Sequence, residues 1–353
     1  ADPRLITFSP LAGTASVGNA APGLPFCTDT LPDLVTDEVT EVPLRHLTSF
    51  WSNPSQWFCE QVLRLRLPKT GANESTDSEL HWLSTMKQGG VRADILRSVL
   101  AGHGDTTAMP RAMVAAGTLP PGQLGASWFA RLEGEARPVL DALPAGARTS
   151  AVLTVIGHDW RITGAVEGVI DDTRYVVRTG SFSAKHRITA WVEHVVMCAA
   201  RQQGADVPGT TVLICPDSKK EKAVLESLDM VAHATELLGI WIGAMHAARG
   251  APLPFFPLAA EAYRAAVAHN AQRAANPKSR AGVQTPLLKA AVAFTGSNFG
   301  AAGDEADPYL QLCFRDAVSF TDHVDEFVRC TEMLFKPSLS AVWEQAVKAG
   351  DAS

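Results

Sequence analysis

Apolar and polar positions alternate with several different periods along the chain, and each change of period predicts a different kind of element. From Pro43, Leu44, Leu47, Phe50 and Trp51 recur at helical spacing, Asn53-Pro54 interrupts, and Trp57, Phe58, Val62 and Leu65 resume the pattern. Two short helices joined at Asn53-Pro54 follow, because the residue before a proline is driven out of helical conformation. Residues 68–78 form a polar loop, and helical patterns return at about 79–101 and 108–117. After the turn-rich stretch Gly117 to Gly122, another helix is predicted from about Ser127 to Leu143.

The period then shortens to two. Val152, Thr154 and Ile156 alternate in one strand, His158-Asp159 makes a turn, and Trp160 to Ile170 reads as a second strand. Asp171-Asp172 turns the chain into a third strand at Tyr175-Val176-Val177. Directly after comes a strong amphipathic helix, AKHRITAWVEHVVMCAARQ, with Ile188, Trp191, Val192, Val195 and Ala199 on one face. A fourth strand, Thr211 to Cys215, pairs across Asp217–Lys220 with Ala223 to Glu226. Beyond it the pattern predicts a helix at about 229–249, a short apolar strand from Leu253 to Phe256, and a helix at about 258–269. A basic, weakly structured loop at 273–284 follows, then helices near 286–294, 307–315 and 338–348. The expected architecture is therefore α/β (α+β): a three-strand meander with a following helix and strand, and helical additions at both ends.

Residues 1–41, rich in Pro, Gly, Thr and Ser, read as an extended linker arriving from a preceding domain and packing by Phe8 or Phe26. Residues 42–353 read as one folded domain. The chain starts without Met and without a signal peptide, and so reads as an excised piece. No apolar run approaches the ~20 residues of a membrane span. Six dispersed cysteines with no CxxC pair, and ten scattered histidines, suggest neither a metal cluster nor a disulfide framework, and fit a reduced cytoplasm. A formal charge of −6 argues against autonomous nucleic-acid binding, because phosphate contacts favour a basic protein. It leaves room for a domain that touches DNA while partner subunits hold most of the backbone.

Four ordered blocks carry a family resemblance: Leu44 to Pro54 with Trp57-Phe58; Ala115 to Gly122 with Gly125; Ile162-Thr163-Gly164 through Arg178 to Trp191-Val192-Glu193-His194 and Cys198-Ala199; and Asp307-Pro308-Tyr309-Leu310 with Phe314-Arg315. Together they resemble the C-terminal part of the RecC family, the gamma chains of exodeoxyribonuclease V. The resemblance implies a PD-(D/E)xK restriction-endonuclease-like core that has lost its activity, preceded in the family by inactive helicase-like domains. It implies RecB and RecD subunits as partners, DNA within the complex, and a role in separating the duplex and routing its strands during double-strand break repair, in a complex that responds to Chi sequences.

An active centre of that kind needs an acid on the second strand, then an acid, one spacer and a lysine on the next, so that two carboxylates hold Mg²⁺ and the lysine orients its water. Glu167 stands in the first place, but Arg178 replaces the second acid and Gly180 the lysine. A guanidinium repels a metal ion and glycine positions nothing, so no catalytic residue, metal or cofactor is expected. Asp171 lies roughly 13 Å along a strand from Glu167, too far to share an ion. Asp171-Asp172 is better read as a hairpin turn, and Lys185 as a solvated helix residue.

Arg174, Arg178, Lys185, His186 and Arg187 form a basic group around this degenerate centre, and such a cleft, changed from acidic to cationic, suits phosphate. Lys219, Lys220 and Lys222, with Arg273, Lys278 and Arg280, are further basic clusters whose ordinary reading is a solvated face. Glu193 and His194 are neighbours on a helix and point about 100° apart, which argues against a catalytic pair. The glycine-rich stretch Gly296 to Gly303 lacks the GK[ST] of a P-loop, and no ATPase is expected. The eight tryptophans sit mostly in apolar periodic runs and read as core, with Trp160, beside a turn, the one to test for exposure.

Overall fold

The computed structural model describes residues 40–67, 83–100, 106–216, 223–228, 230–275, 282–296, 302–314 and 320–335. Its centre is a mixed six-stranded sheet whose spine is β3 (Trp160–Ile170). One edge of β3 is paired antiparallel along nearly its whole length by β2 (Thr149–Ile156). Two strands share the opposite edge. Parallel β1 (Thr40–Pro43) occupies Trp160 to Thr163, and antiparallel β4 (Thr173–Val177) reaches only Val169 and Ile170. Strand β5 (Thr210–Pro216) lies parallel to β4, and β6 (Ala223–Leu228) antiparallel to β5. The meander is thus present, and the sheet forks where β4 leaves β3.

Gly168 makes the fork. It has φ +82° and is the residue skipped in the β2–β3 register, and a Cβ on it would lie 2.5 Å from the carbonyl oxygen of Tyr175. Only glycine accepts that conformation with a strand so close. Asp171, at φ 52°, then opens the two-residue turn into β4, a backbone region that Asp tolerates better than most residues.

The helices are α1 (Leu44–Ser52), α2 (Pro54–Trp57, continued by a π turn to Val62), α3 (Thr85–Leu100), α4 (Met109–Ala115) and α5 (Gly122–Asp141), followed by α6 (Ala184–Gln202), α7 (Ala234–Ala247), α8 (Pro257–Ala275), α9 (Pro286–Thr295), α10 (Pro308–Phe314) and α11 (Val324–Phe335). Helix α6 is buried on nearly every side from Ile188 to Ala200, because it packs against α1 and β2 as well as α7 and α8. The side chain of Ser183 caps its first turn. The indoles of Trp191 and Trp241 donate to the carbonyls of Leu334 and Met333, each at 3.1 Å. They thereby satisfy carbonyls that the C-terminal turn of α11 leaves without a helical partner.

Two smaller clusters complete the core. Leu83, Val91, Ile95, Met113, Leu119, Trp128, Phe129 and Leu132 join α3, α4 and α5 into a helical lobe. Leu96, Val139 and Ile214, with Tyr175, Val177 and Val212 against them, bind that lobe to the β4–β5 face opposite α6. Among the described residues nothing covers the corresponding face of β2: Val152 is 75% and Ile156 55% exposed, while Leu153 and Val155 are buried beneath.

Several sequence expectations change. Leu253–Phe256 is not a strand, because Pro252 and Pro254 withhold the N–H groups a ladder needs. Its Phe255 and Phe256 instead plug the core, the latter stacked 5.8 Å from Phe327. Helix α5 starts five residues earlier than expected, at Gly122, with Gly125 pressed so close to the Pro120 carbonyl that a Cβ would collide. Helix α7 starts later, at Ala234, after a left-handed His233, and α8 runs on through Arg273 to Ala275. Helix α11 was not expected at all. Thr40 and Glu41 already belong to the sheet, so β1 straddles the boundary drawn after residue 41. The polar loop at 68–78, the helix at 338–348 and the anchors Phe8 and Phe26 lie outside the described residues.

Candidate functional site

Where β4 leaves β3, helix α3 crosses above the gap and leaves a cleft of about 930 Å³. Four arginines line it: Arg97 from α3, Arg148 from the approach to β2, Arg174 from β4 and Arg178 just past it. Glu167 is the one carboxylate among the lining residues, and Thr149, Ser150, Tyr175 and Thr179 complete the polar surface. A second recess of about 430 Å³ adjoins it and shares Leu100 and Arg148, with Leu140, Leu143 and Ile170 on its walls.

The four arginines are held differently. Arg97 is exposed and paired with Asp94 at 2.7 Å, one turn back on its own helix. Arg174 is 6% exposed, with Nη2 2.6 Å from the Glu193 carboxylate on α6 and Nε donating to the Glu167 carbonyl at 3.4 Å. It therefore fills the fork and ties β4 to both β3 and α6. Arg178 continues the β4–β5 ladder by one residue, its N–H donating to the Ile214 carbonyl at 2.9 Å. The Nε atoms of Arg148 and Arg178 and Nη1 of Arg174 are buried without a hydrogen-bond partner among the described residues. Burial pulls the pKa of both Arg148 and Arg178 down from the ordinary guanidinium value. Both remain cationic, since a guanidinium starts so far above neutrality.

Of the three positions expected to form a degenerate centre, Glu167 and Arg178 both line this cleft. Gly180 does not line it; a side chain there would project into open space, with nothing within 4 Å of its Cβ. The basic group predicted around the centre divides. Arg174 and Arg178 line the cleft, and His186 sits near it, its pKa lowered by burial and by the charge of Arg178. Lys185 turns to Asp307 at 3.1 Å, and Arg187 to Glu261 at 3.9 Å and to the ring of Phe182. Lys219, Lys220, Lys222, Lys278 and Arg280 lie outside the described residues, and Arg273 is an exposed residue of α8, not part of a loop.

Glu193 and His194 diverge as their helical spacing requires: Glu193 takes Arg174, and buried His194 meets the Thr211 hydroxyl at 3.0 Å. Trp160 is buried over Gly157, and Trp51, Trp57, Trp128, Trp191 and Trp241 are also core, while Trp82 and Trp343 lie outside the described residues. Arg148 and Arg97 escaped the sequence reading. No local signal marks them: Arg97 enters the cleft from α3 and Arg148 from the approach to β2, segments far apart in the chain.

One carboxylate facing four arginines does not fit Mg²⁺, which prefers several oxygen ligands in octahedral array. Among the described residues, no three His, Cys, Asp or Glu side chains converge as a metal cage would require. The arrangement instead suits an oxyanion, for which guanidinium N–H groups are strong paired donors. No described helix is long and apolar enough to cross a membrane.

The family model described as the RecC C-terminal domain matches residues 39–268, well over half of the chain and including every strand and the whole cleft lining. No curated protein matches the chain.

Proposed function

The chain belongs to the RecC C-terminal domain family, and from that premise we propose that it is a noncatalytic, DNA-guiding and subunit-interaction domain of a RecBCD-type helicase–exonuclease. RecB and RecD subunits are its partners in this reading, the assembled complex acts in the cytoplasm, and the core is a PD-(D/E)xK nuclease fold whose centre has changed sign. The observation that supports it is that Arg178, which on this reading replaces a metal-binding acid, lines the same cleft as Glu167. A cation there opposes Mg²⁺ and attracts the phosphate that the metal would otherwise hold.

The chain incubated with linear DNA and either Mg²⁺ or Mn²⁺ is expected to leave the DNA intact. Cleavage that disappears in Glu167→Ala would overturn the reading in favour of an active nuclease with a rearranged centre. A pure protein scaffold is the other alternative, and crosslinking of DNA to this domain within the full assembly separates the two. Absence of any crosslink would leave only the scaffold.

A further inference from the structure

Given the DNA-guiding role proposed above, we infer that the cleft between α3 and the β3–β4 fork is a seat for a single DNA strand, with a backbone phosphate held jointly by Arg148 and Arg178. Three features lead there. The first is partner choice. Arg174 and Arg97 have carboxylate partners at 2.6 and 2.7 Å, so their charge is already used within the protein. Arg148 and Arg178 have none among the described residues, yet both keep Nε out of water. With no carboxylate on them, the outer N–H groups of these two guanidiniums are uncommitted, and guanidinium N–H groups are strong donors to an oxyanion. Two guanidiniums lining one cleft offer paired donors to a tetrahedral oxyanion.

The second feature is size. A cleft of about 930 Å³ lies in the range that encloses a small ligand or a short stretch of one strand. The third is the adjoining recess, where the side chains of Leu100, Leu140, Leu143 and Ile170 stand beside polar backbone surface and Arg148. A phosphate on Arg148 therefore has beside it a recess with both apolar side chains and polar backbone groups, which suits an unstacked base. In a duplex the bases are stacked and paired, and the recess would stay empty; single strands present free base faces to apolar and aromatic surfaces. Glu167 opposes the phosphate. Its carboxylate weakens the seat, and no described residue pairs with it.

Fluorescence anisotropy of the full chain with a labelled thymidine 20-mer, across a series of salt concentrations, tests this. Arg148→Gln and Arg178→Gln should each weaken binding by about tenfold and lower the slope of log K against log salt by about 0.7. Glu167→Gln should tighten binding several-fold, the opposite of its effect if the acid held a catalytic metal. Circular dichroism melts of all three variants should match the parent, since none of these side chains has a partner to lose. Unlabelled inorganic phosphate should compete only at millimolar concentration, and a blunt duplex should bind at least tenfold more weakly than the single strand. Unchanged affinity in both arginine variants, weaker binding in Glu167→Gln, or equal binding of duplex and single strand would each overturn the seat. DNA crosslinking in the assembly alongside unchanged arginine variants would sink this seat alone and leave the guiding role standing, whereas DNA cleavage by the chain would sink the guiding role itself.

Discussion

Arg174 and Arg178 are four residues apart on one strand and its extension, both are drawn out of water, and their surroundings are opposite. Arg174 is tied into the α6 side of the sheet by a carboxylate: Glu193 takes its Nη2, and nearby Thr211 meets His194 and Asp304 accepts the N–H groups of Leu258 and Ala259. On the same side Asp307 takes both the Asn53 amide at 2.8 Å and the Lys185 ammonium at 3.1 Å. Arg178 lines the same cleft, but neither it nor Arg148 has a carboxylate partner among the described residues. The difference separates a cation that holds the fold together from one available to a ligand. Spacing and residue type do not distinguish them; partner geometry does.

The largest effect expected from this contrast is on stability. Arg174→Ala strands the Glu193 carboxylate at a site only 21% exposed and should lower the unfolding free energy by about 3 kcal/mol, read by denaturant titration. A loss below about 1 kcal/mol would mean that the pair is no bolt and that the two arginines are alike.

The pH dependence of Asp304 comes next. Burial raises its pKa to about 6, against the opposing hydrogen bonds from Ala259 and Leu258. With the folded value above the unfolded one, the folded state holds the extra proton between about pH 4 and pH 6. Stability from this group is complete below pH 4 and is lost as pH rises through 6, by an amount on the order of 2–3 kcal/mol. Asp304→Asn should flatten that slope in melts taken across pH 4–7, and an unchanged slope would assign it to another group.

Asp307→Ala should cost about 1–2 kcal/mol, since it removes the cap of α10 at the Tyr309 N–H as well as the contacts to Asn53 and Lys185. Lys185→Ala should cost less than this and leave DNA affinity unchanged. A loss of affinity would return Lys185 to the DNA-contacting set. The smallest effect is the one that sharpens the contrast most: Arg178→Gln should change stability by less than about 0.5 kcal/mol while it weakens single-strand binding.

Much of the core was legible because it is built from near neighbours. The three strands from Thr149 to Val177 are linked by short turns, and their alternation, with the aspartates at 171 and 172, locates them to within a few residues. Helix α6 begins and ends where its cap and period place it. Alternation did not reveal which face would be covered: Val152 and Ile156 are apolar and yet exposed, because no described element packs on that side of β2. Helix α11 shows its buried face at Phe327, Cys330, Thr331 and Leu334, a helical period that lies open in the sequence. The apolar run before α8 misleads in the other direction, since its prolines permit burial but not pairing.

What the sequence determined alone about this protein is therefore local and compositional: the meander, the helix that follows it, and the basic residues that come with them. Tertiary structure decided which basic residues are free to act. Lys185 finds Asp307 across 122 residues of chain, Arg174 finds Glu193 because the fork aims β4 at α6, and Arg148, from the approach to β2, joins Arg178 in the same cleft. Charge alone assigns none of these partners. An arginine's role depends on whether folding brings a carboxylate within reach of its buried donors, and that is settled by contacts far apart in the chain.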